Sequence, residues 1–280
     1  MEIFKNYSTE LKLKLKYLSQ KVSKIGFVPT MGFLHDGHLA LIKKAKEEND
    51  IVIASIFVNE KQFNNKLDFL NYPINLASDL EKLSKLGVDI AYIPESKLFY
   101  VEPFYAEINV KHITDKLCGS SREGHFSGVA LVLTKFFNQL RPDNVYLGLK
   151  DYQQFLVVSQ LVRDLDMGVN IKPVETFREN TGLALSSRNS LLTVHERNNI
   201  APKLYFYLRQ LAQEVSNKPN QLSEFTELAK SNIVKAGFTK IEYLEILNNN
   251  LESFNNVNDA RIFVAAIIGK VRLIDNLEIC

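Results

Sequence analysis

Two histidines, His35 and His38, stand three residues apart where an apolar run through Pro29 gives way to a helical pattern at residues 39–45. The first backbone N–H groups of a helix have no internal partner and carry the positive end of its dipole, so they stabilise a phosphate. Gly37 lies between the histidines and lets a flat base or ribose approach the backbone closely. The stretch predicts a nucleotide site, although the two histidines alone would more simply be ordinary surface residues beside a tight turn.

The whole run at residues 29–38, Pro-Thr-Met-Gly-Phe-Leu-His-Asp-Gly-His, outweighs that simpler interpretation. It resembles the signature of the nucleotidylyltransferase superfamily, and within that superfamily it is most similar to the pantothenate synthetase family. The resemblance implies that ATP binds along this run and that His38 is a proton donor with a pKa near neutrality. The ATP-binding residues implied here are Met31, Gly32, Phe33, Leu34, His35, Asp36, Gly37 and His38.

Residues 57–63, Phe-Val-Asn-Glu-Lys-Gln-Phe, follow an apolar run and so lie at the edge of an open parallel sheet, where ligands commonly bind. Gln62 alone would be an ordinary solvated loop residue, but its amide can both donate and accept hydrogen bonds. The segment resembles the family's Phe-Val-Asn-Pro-x-Gln-Phe, which implies that Gln62 contacts pantoate and β-alanine and that Asn59 also binds the substrate. Glu60 replaces the family's proline, which frees one φ angle and adds a negative charge near the site.

Residues 121–129, Ser-Arg-Glu-Gly-His-Phe-Ser-Gly-Val, lead into another helical pattern, for which Ser127 is the predicted N-cap. His125 alone would be a structural histidine. The family has Arg-Pro-Gly-His-Phe-x-Gly-Val at this point, with proline where this chain has Glu123. The resemblance therefore implies that His125 shapes the floor of the pocket.

Residues 147–154, Leu-Gly-Leu-Lys-Asp-Tyr-Gln-Gln, also follow a predicted strand and open a helix. A lysine suits phosphate charge and an aspartate suits a ribose hydroxyl, although alone they would be solvated residues at a helix start. The segment resembles the family's Phe-Gly-x-Lys-Asp-x-Gln-Gln, which implies that Gln154 binds pantoate. The ATP-binding residues implied here are Gly148, Leu149, Lys150 and Asp151. Leu147 and Leu149 depart from the family pattern, which predicts small changes in packing.

Residues 182–189, Gly-Leu-Ala-Leu-Ser-Ser-Arg-Asn, place two hydroxyls beside a guanidinium that is always charged. Such a loop can clamp a phosphate, although seen alone it would be an ordinary surface loop. Its Ser-Ser-Arg-Asn is identical to the family's, which implies that Ser186, Ser187 and Arg188 act on the phosphates. Phe177 and Leu185 are the further ATP contacts implied.

These motifs follow the family's order over residues 24–195 and imply condensation of (R)-pantoate with β-alanine through a pantoyl adenylate, with release of pyrophosphate and AMP. Catalysis is then positioning and electrostatic stabilisation by His35, His38, Lys150, Ser186, Ser187 and Arg188. Mg²⁺ bridging phosphate oxygens needs few protein ligands, and Asp79 is the candidate. Two alternatives stay open: a nucleotidylyltransferase of another specificity, which would not need Gln62 and Gln154, and a non-catalytic nucleotide-binding protein.

The elements that carry these motifs alternate between strand and helix in the first part of the chain. Apolar runs at residues 26–29, 51–58, 88–93, 107–112, 145–147 and 169–177 predict strands, and patterns at 8–22, 39–45, 75–87, 129–139 and 152–165 predict helices. The first helix competes with a strand interpretation, but Leu11, Leu15, Leu18 and Val22 make a helical stripe. The alternation predicts an α/β fold with a Rossmann-like doubly wound parallel sheet in residues 1–177.

The order changes from about residue 178. Helical patterns at 194–216 and 221–236 precede strand patterns at 241–247, 261–268 and 271–274. Helices followed by strands predict a smaller α+β domain, so we expect residues 178–280 to form a C-terminal lid domain over the cleft.

Composition limits the class of protein. The chain has 280 residues, 46% hydrophobic and 24% charged, which suffices for a full core. Its net charge of +2, without clustered Lys and Arg, argues against nucleic-acid binding. With no apolar stretch that could span a bilayer, no secretory signal and only Cys118 and Cys280, we expect a cytoplasmic protein that binds no membrane. The resemblance to the family also implies that the protein forms a homodimer.

Overall fold

The computed structural model describes residues 1–21 and 23–279, so Val22 and Cys280 lie outside the described residues. The first part of the chain alternates strands and helices, as the apolar periodicity predicts. Its elements are β1 (Glu2–Phe4), α1 (Thr9–Gln20), β2 (Ile25–Thr30), α2 (Asp36–Glu48), β3 (Ile51–Ile56), α3 (Lys66–Leu70), α4 (Leu76–Lys85), β4 (Ile90–Tyr92), α5 (Ser96–Phe99), α6 (Leu117–Ser121), α7 (His125–Leu140), β5 (Asn144–Gly148), α8 (Tyr152–Asp164) and β6 (Asn170–Val174).

These strands form one parallel sheet in the order β1-β4-β3-β2-β5-β6. The chain runs one way across the sheet from β2 to β4 and then returns to β5 on the other side of β2. In open parallel sheets, ligands bind at the carboxyl ends of the strands beside such a switch point. The predicted α/β class and doubly wound sheet are confirmed, and the expected site is the edge beyond β2 and β5.

Two local predictions are wrong, and one strand was not predicted. Residues 107–112 are not a strand; their alternation arises because Ile108 and Val110 pack onto separate hydrophobic clusters while residues between them are exposed. Helix α7 begins at His125 with Gly124 as its N-cap, so the prediction of Ser127 as the cap is wrong. Strand β1 was missed, because three residues paired with Ile90–Tyr92 give no periodic signal.

The last part of the chain holds helices followed by strands. After a π-helical turn at Glu196–Ile200 come α9 (Pro202–Asn217), α10 (Leu222–Lys235), β7 (Lys240–Asn248), β8 (Ala260–Ile268) and β9 (Val271–Glu278). The strands form an antiparallel sheet in the order β7-β8-β9, and α9 and α10 pack against it through one apolar cluster. The predicted α+β architecture is confirmed, whereas a boundary between residues 177 and 178 stays a prediction. Across the described residues, none of the helices combines the length and the apolar character needed to cross a membrane.

Candidate active site

A cleft of about 1430 Å³, counted with the space open to solvent, lies at the carboxyl ends of β2 and β5. Most of the residues predicted for the site line it, although they come from five separate stretches of sequence. They are Met31, His35, Gly37, His38, Asn59, Gln62, Gly148, Lys150, Asp151, Gln154, Phe177, Leu185, Ser186, Ser187 and Arg188. The predicted residues that do not line the cleft are Gly32, Phe33, Leu34, Asp36, Asp79 and Leu149.

The turn from β2 to α2 takes its shape from a left-handed pair and a buried carboxylate. Gly32 has φ 82° and Phe33 has φ 52°. Asp79 is only 1% exposed, and its two oxygens accept the backbone N–H groups of Phe33 at 2.8 Å and Leu34 at 2.7 Å. Both oxygens are therefore engaged in holding the turn. The two hydrogen bonds favour a structural role for Asp79. Among the described residues, no group of three or more His, Cys, Asp or Glu side chains could hold a metal ion.

His35 and His38 meet at the start of α2. His35 is the N-cap, its backbone N–H donates to Nδ1 of His38 at 3.3 Å, and the two ring centroids are 4.0 Å apart. Burial, helped by the charge of Lys150, lowers the pKa of His35 to about 4. Burial also lowers the pKa of His38 well below its usual value, and electrostatic repulsion from His35 and Lys150 lowers it further. The prediction of a near-neutral pKa for His38 is therefore wrong.

A neutral His38 still has one proton to donate. Because Nδ1 accepts the N–H of His35, that proton is assigned to Nε2. The imidazole can then donate a hydrogen bond to an anion in the cleft without carrying a charge.

Gln62 is held by a buried amide. Asn59, which is 1% exposed, donates from Nδ2 to Oε1 of Gln62 at 3.0 Å and to the carbonyl of Gly128 at 3.0 Å. Its own oxygen accepts the Tyr100 hydroxyl at 2.8 Å. The amide nitrogen of Gln62 faces the Met31 sulfur at 3.0 Å. A thioether is a weak acceptor, so the N–H groups of Gln62 are free to exchange it for a better one.

His125 lies beneath Gln62. Its Nδ1 donates to the Gln62 carbonyl at 2.8 Å, and its Nε2 accepts from Arg122 at 3.0 Å. Burial, and then the charge of Arg122, lowers the pKa of His125 to about 3. A neutral histidine fixed at both nitrogens is suited to support the floor of the cleft.

The turn before α8 carries Lys150, and the first turn of α8 carries two adjacent glutamines. Gln154 lines the cleft, whereas Gln153 is buried and bonds the backbone of Cys118, Ile113 and Lys116. Side-chain Nδ2 of Asn276, on β9, donates to the carbonyls of Leu149 at 2.8 Å and Lys150 at 3.0 Å. The second sheet thus holds the turn in which Lys150 lies.

The loop with the two serines reaches across the cleft to the segment around α3. Ser186 caps its own turn by accepting the Arg188 N–H at 3.3 Å. The hydroxyl of Ser187 lies 3.1 Å from that of Tyr72, and Arg188 pairs with Asp68 at 2.8 Å. These contacts hold the loop against the segment around α3, and its residues line the same cleft as Lys150 and the histidines.

Comparisons with known proteins agree with this geometry. The sequence profile described as "Pantoate-beta-alanine ligase" matches residues 3–278. The chain belongs to this family.

Curated relatives of this family are similar over nearly their whole length. A protein called "Pantothenate synthetase" from Bacillus subtilis (strain 168) is 44% identical, covering 97% of this chain and 95% of the relative. One of the same name from Caldicellulosiruptor bescii is 40% identical, covering 96% of each.

Solved structures of the family superpose closely on this fold. Pantothenate synthetase from Thermus thermophilus gives a TM-score of 0.91 at 39% identity, covering 100% of this chain and 99% of that one. Pantoate-beta-alanine ligase from Francisella tularensis, described as complexed with beta-gamma ATP and beta-alanine, gives 0.83 at 43% identity, covering 99% and 97%.

The departures from the family pattern lie outside the cleft or on its apolar wall. Glu60 is exposed, does not line the cleft and accepts the Ser96 hydroxyl at 3.0 Å. Glu123 is also exposed. Leu147 is buried in the core of the parallel sheet and lines the cleft, and Leu149 packs with an apolar cluster that includes Tyr152. None of them adds a charge to the cleft.

Sequence reasoning assigned no role to several polar residues in and beside the cleft. Arg122 and Tyr72 line it, and Asp68 pairs with Arg188. Arg122 is the arginine of the matched motif that contains His125, which was a usable signal. Tyr72 and Asp68 lie in a segment without a motif, and only the tertiary structure brings them to the loop.

Proposed function

We propose that this chain condenses pantoate with β-alanine at the expense of ATP. A carboxylate oxygen of pantoate attacks the α-phosphorus, and pyrophosphate leaves. The amine of β-alanine then forms a C–N bond to the activated carbonyl as the C–O bond to AMP breaks, and the amine loses a proton. The observation that carries the proposal is the convergence of the separated family motifs on one cleft at the sheet's switch point.

In the first step, charge develops on the phosphates, and several donors of the cleft are suited to it. The start of α2 presents unpaired N–H groups, and neutral His38 offers its Nε2–H. Lys150 and the loop of Ser186, Ser187 and Arg188 supply charge and hydroxyls from the other side. Preorganised donors of this kind stabilise a transition state without reorganisation when the reaction occurs.

The acid substrate fits between Gln62 and Gln154. Both amides line the cleft from different strand ends, and together they can donate to and accept from hydroxyl and carboxylate groups. Below them, Val129, Val132 and Leu133 of α7 supply an apolar wall that suits the methyl groups of pantoate.

Magnesium is proposed only as the ion that accompanies ATP. Phosphate oxygens and water satisfy most of the octahedral ligands of Mg²⁺, and Asp79 does not fit as a ligand because both its oxygens hold the turn. Asp79→Asn should lower the free energy of unfolding without changing the magnesium dependence of the reaction.

A homodimer in the cytoplasm is proposed from the family resemblance. The segment after α5 leaves Val101 and Tyr105 exposed, together with Leu98 of α5, which gives an apolar surface suited to self-association. Sedimentation velocity would measure the assembly, and fractionation of cells would measure the location.

Two reactions test the function. Pantoate alone should support exchange of labelled pyrophosphate into ATP, whereas AMP should accumulate only when β-alanine is also present. Exchange that is indifferent to pantoate would refute the assignment and favour a nucleotidylyltransferase of another specificity.

A further inference from the structure

Arg122 lies between the cleft and the second sheet. It follows α6, is half-buried, and lines the main cleft. It also lines the two smaller pockets that continue from the cleft toward β9. Its guanidinium is thus reachable from the space beside Gln62 and from the space beneath the second sheet.

Arg122 differs from the other cations of this region in its partners. Each of the other cations has a carboxylate partner. Arg188 forms an ion pair with Asp68 at 2.8 Å, and Arg272 forms one with Glu242 at 2.7 Å. The Lys150 ammonium lies 3.9 Å from the carboxylate of Asp151. Within residues 1–21 and 23–279, Arg122 has no carboxylate within 4.0 Å.

The partners that Arg122 does have are neutral. One nitrogen donates to Nε2 of His125 at 3.0 Å and another approaches the Gln62 carbonyl at 3.5 Å. A guanidinium has five N–H donors in a planar fork that matches a carboxylate. A half-buried fork without an anion is therefore prepared for an anionic ligand.

We propose that Arg122 binds the carboxylate of the amine substrate, β-alanine, and so makes the second half-reaction specific for an amino acid. The inference rests on the proposed function. Two carboxylates enter the reaction, and they have different fates. That of pantoate becomes the acyl group, whereas that of β-alanine stays ionised and unchanged in the product, so it needs a lasting cationic partner.

Arg122 lies beside the proposed pantoate site as well as near Lys150, with which it lines both smaller pockets. It contacts the carbonyl of Gln62, whose side chain is proposed to hold pantoate, so a carboxylate on Arg122 brings the amine near the activated carbonyl. Lys150 and the Ser186–Arg188 loop line the same cleft and remain available to the phosphates.

A change of both enzyme and substrate tests the proposal. Arg122→Gln keeps hydrogen-bonding capacity toward His125 but removes the charge. Its KM for β-alanine should rise about 10- to 150-fold, the usual effect of losing a hydrogen bond to a charged group. β-Alaninamide, which lacks the carboxylate, should be a poor amine for the unmodified protein, and Arg122→Gln should use it as well as the unmodified protein does.

The first half-reaction supplies the internal control. Pantoate-dependent pyrophosphate exchange should stay within about threefold in Arg122→Gln, because no β-alanine takes part. Arg272→Gln is the matched variant: it removes a neighbouring guanidinium that is already paired, and the preference for β-alanine over its amide should persist. Thermal melting of each variant checks that it is folded.

The outcomes separate this inference from the function itself. Absence of pantoate-dependent exchange in the unmodified protein would overturn the proposed function. Normal exchange with an unchanged preference for β-alanine in Arg122→Gln would overturn only the role of Arg122. A parallel loss with β-alanine and β-alaninamide would mean that Arg122 acts by positioning Gln62 and His125, and a loss of exchange would assign it to the phosphates; both also overturn the inference.

Discussion

Adjacent side chains of the same type have different tasks in this cleft. The side-chain amide of Gln153 hydrogen-bonds three backbone groups of the segment 113–118, whereas Gln154 lines the cleft. His35 and His38 are both neutral, but only the ring nitrogen of His38 accepts a backbone N–H. At the residue scale, function depends on which polar atoms the fold leaves free.

Replacing Gln154 or Gln153 by alanine should affect different properties, namely pantoate binding in the first case and stability in the second. Gln154→Ala, like Gln62→Ala, should weaken pantoate binding by about 1–3 kcal/mol, because it leaves a polar group of the substrate without a partner. Gln153→Ala should instead lower the free energy of unfolding. Separate titrations of ATP and pantoate, with urea unfolding, measure both effects. Equal losses for both ligands in Gln154→Ala would indicate a general collapse of the site.

The state of His38 predicts the pH dependence of adenylation. Because the pKa of His38 is lowered, the imidazole is neutral at pH 7 and becomes protonated only at distinctly acidic pH. The rate of single-turnover adenylation should therefore stay level between about pH 6.5 and about 8.5, where an imidazolium acid would lose activity. His38→Ala should lower that rate by on the order of 10²-fold. Exposed His195→Ala is the control, and an alkaline decline that disappears with His38 would contradict the neutral donor.

At the scale of elements, α7 sets the position of the loop that carries Gln62. Gly128 faces this loop so closely that a Cβ there would lie 2.2 Å from the carbonyl oxygen of Lys61 and 2.6 Å from the nitrogen of Gln62. The Gly128 carbonyl also accepts from Asn59. The loop can approach the helix this closely only because Gly128 has no side chain.

Gly128→Ala should shift the Gln62 loop. Overpacking of this kind costs about 1–3 kcal/mol of stability, and pantoate affinity should fall more than ATP affinity because the loop carries Gln62. Calorimetric titration of each ligand and urea unfolding measure the two effects. Ser127→Ala introduces the same residue one position earlier and should have little effect on either; if Gly128→Ala behaved in the same way, the close packing would not matter.

At the scale of the whole molecule, strand β9 links the second sheet to the cleft. Asp275 accepts two hydrogen bonds from Arg178, at 2.6 and 2.8 Å, and Arg178 stacks over Tyr205. The next residue, Asn276, donates to the turn of Lys150. One strand end therefore fixes both the start of the loop with Ser186 and the turn with Lys150.

Asn276→Ala should affect stability and catalysis together. Two half-buried carbonyls lose a donor, so the free energy of unfolding should fall by about 1–3 kcal/mol. Adenylation should slow by roughly tenfold or more, because a loosened turn misplaces Lys150. Urea unfolding and single-turnover assays measure the two effects. The control is Asn258→Ala, which replaces an exposed asparagine. A variant that was less stable but equally fast would show that β9 supports the turn without positioning Lys150.

The sequence by itself determined the alternation of strands and helices, the change to an α+β pattern in the last part of the chain and the motifs that identify the family. These signals are local, because periodicity, caps and turns depend on neighbouring residues. Tertiary structure decided the rest: the task of Asp79, the neutral state of His38, the pairing of β1 and the position of Arg122. A carboxylate that holds a turn 45 positions away, or an asparagine that holds one 127 positions away, leaves no periodic signal. Burial and distant charges set the pKa values, so only the folded chain defines them.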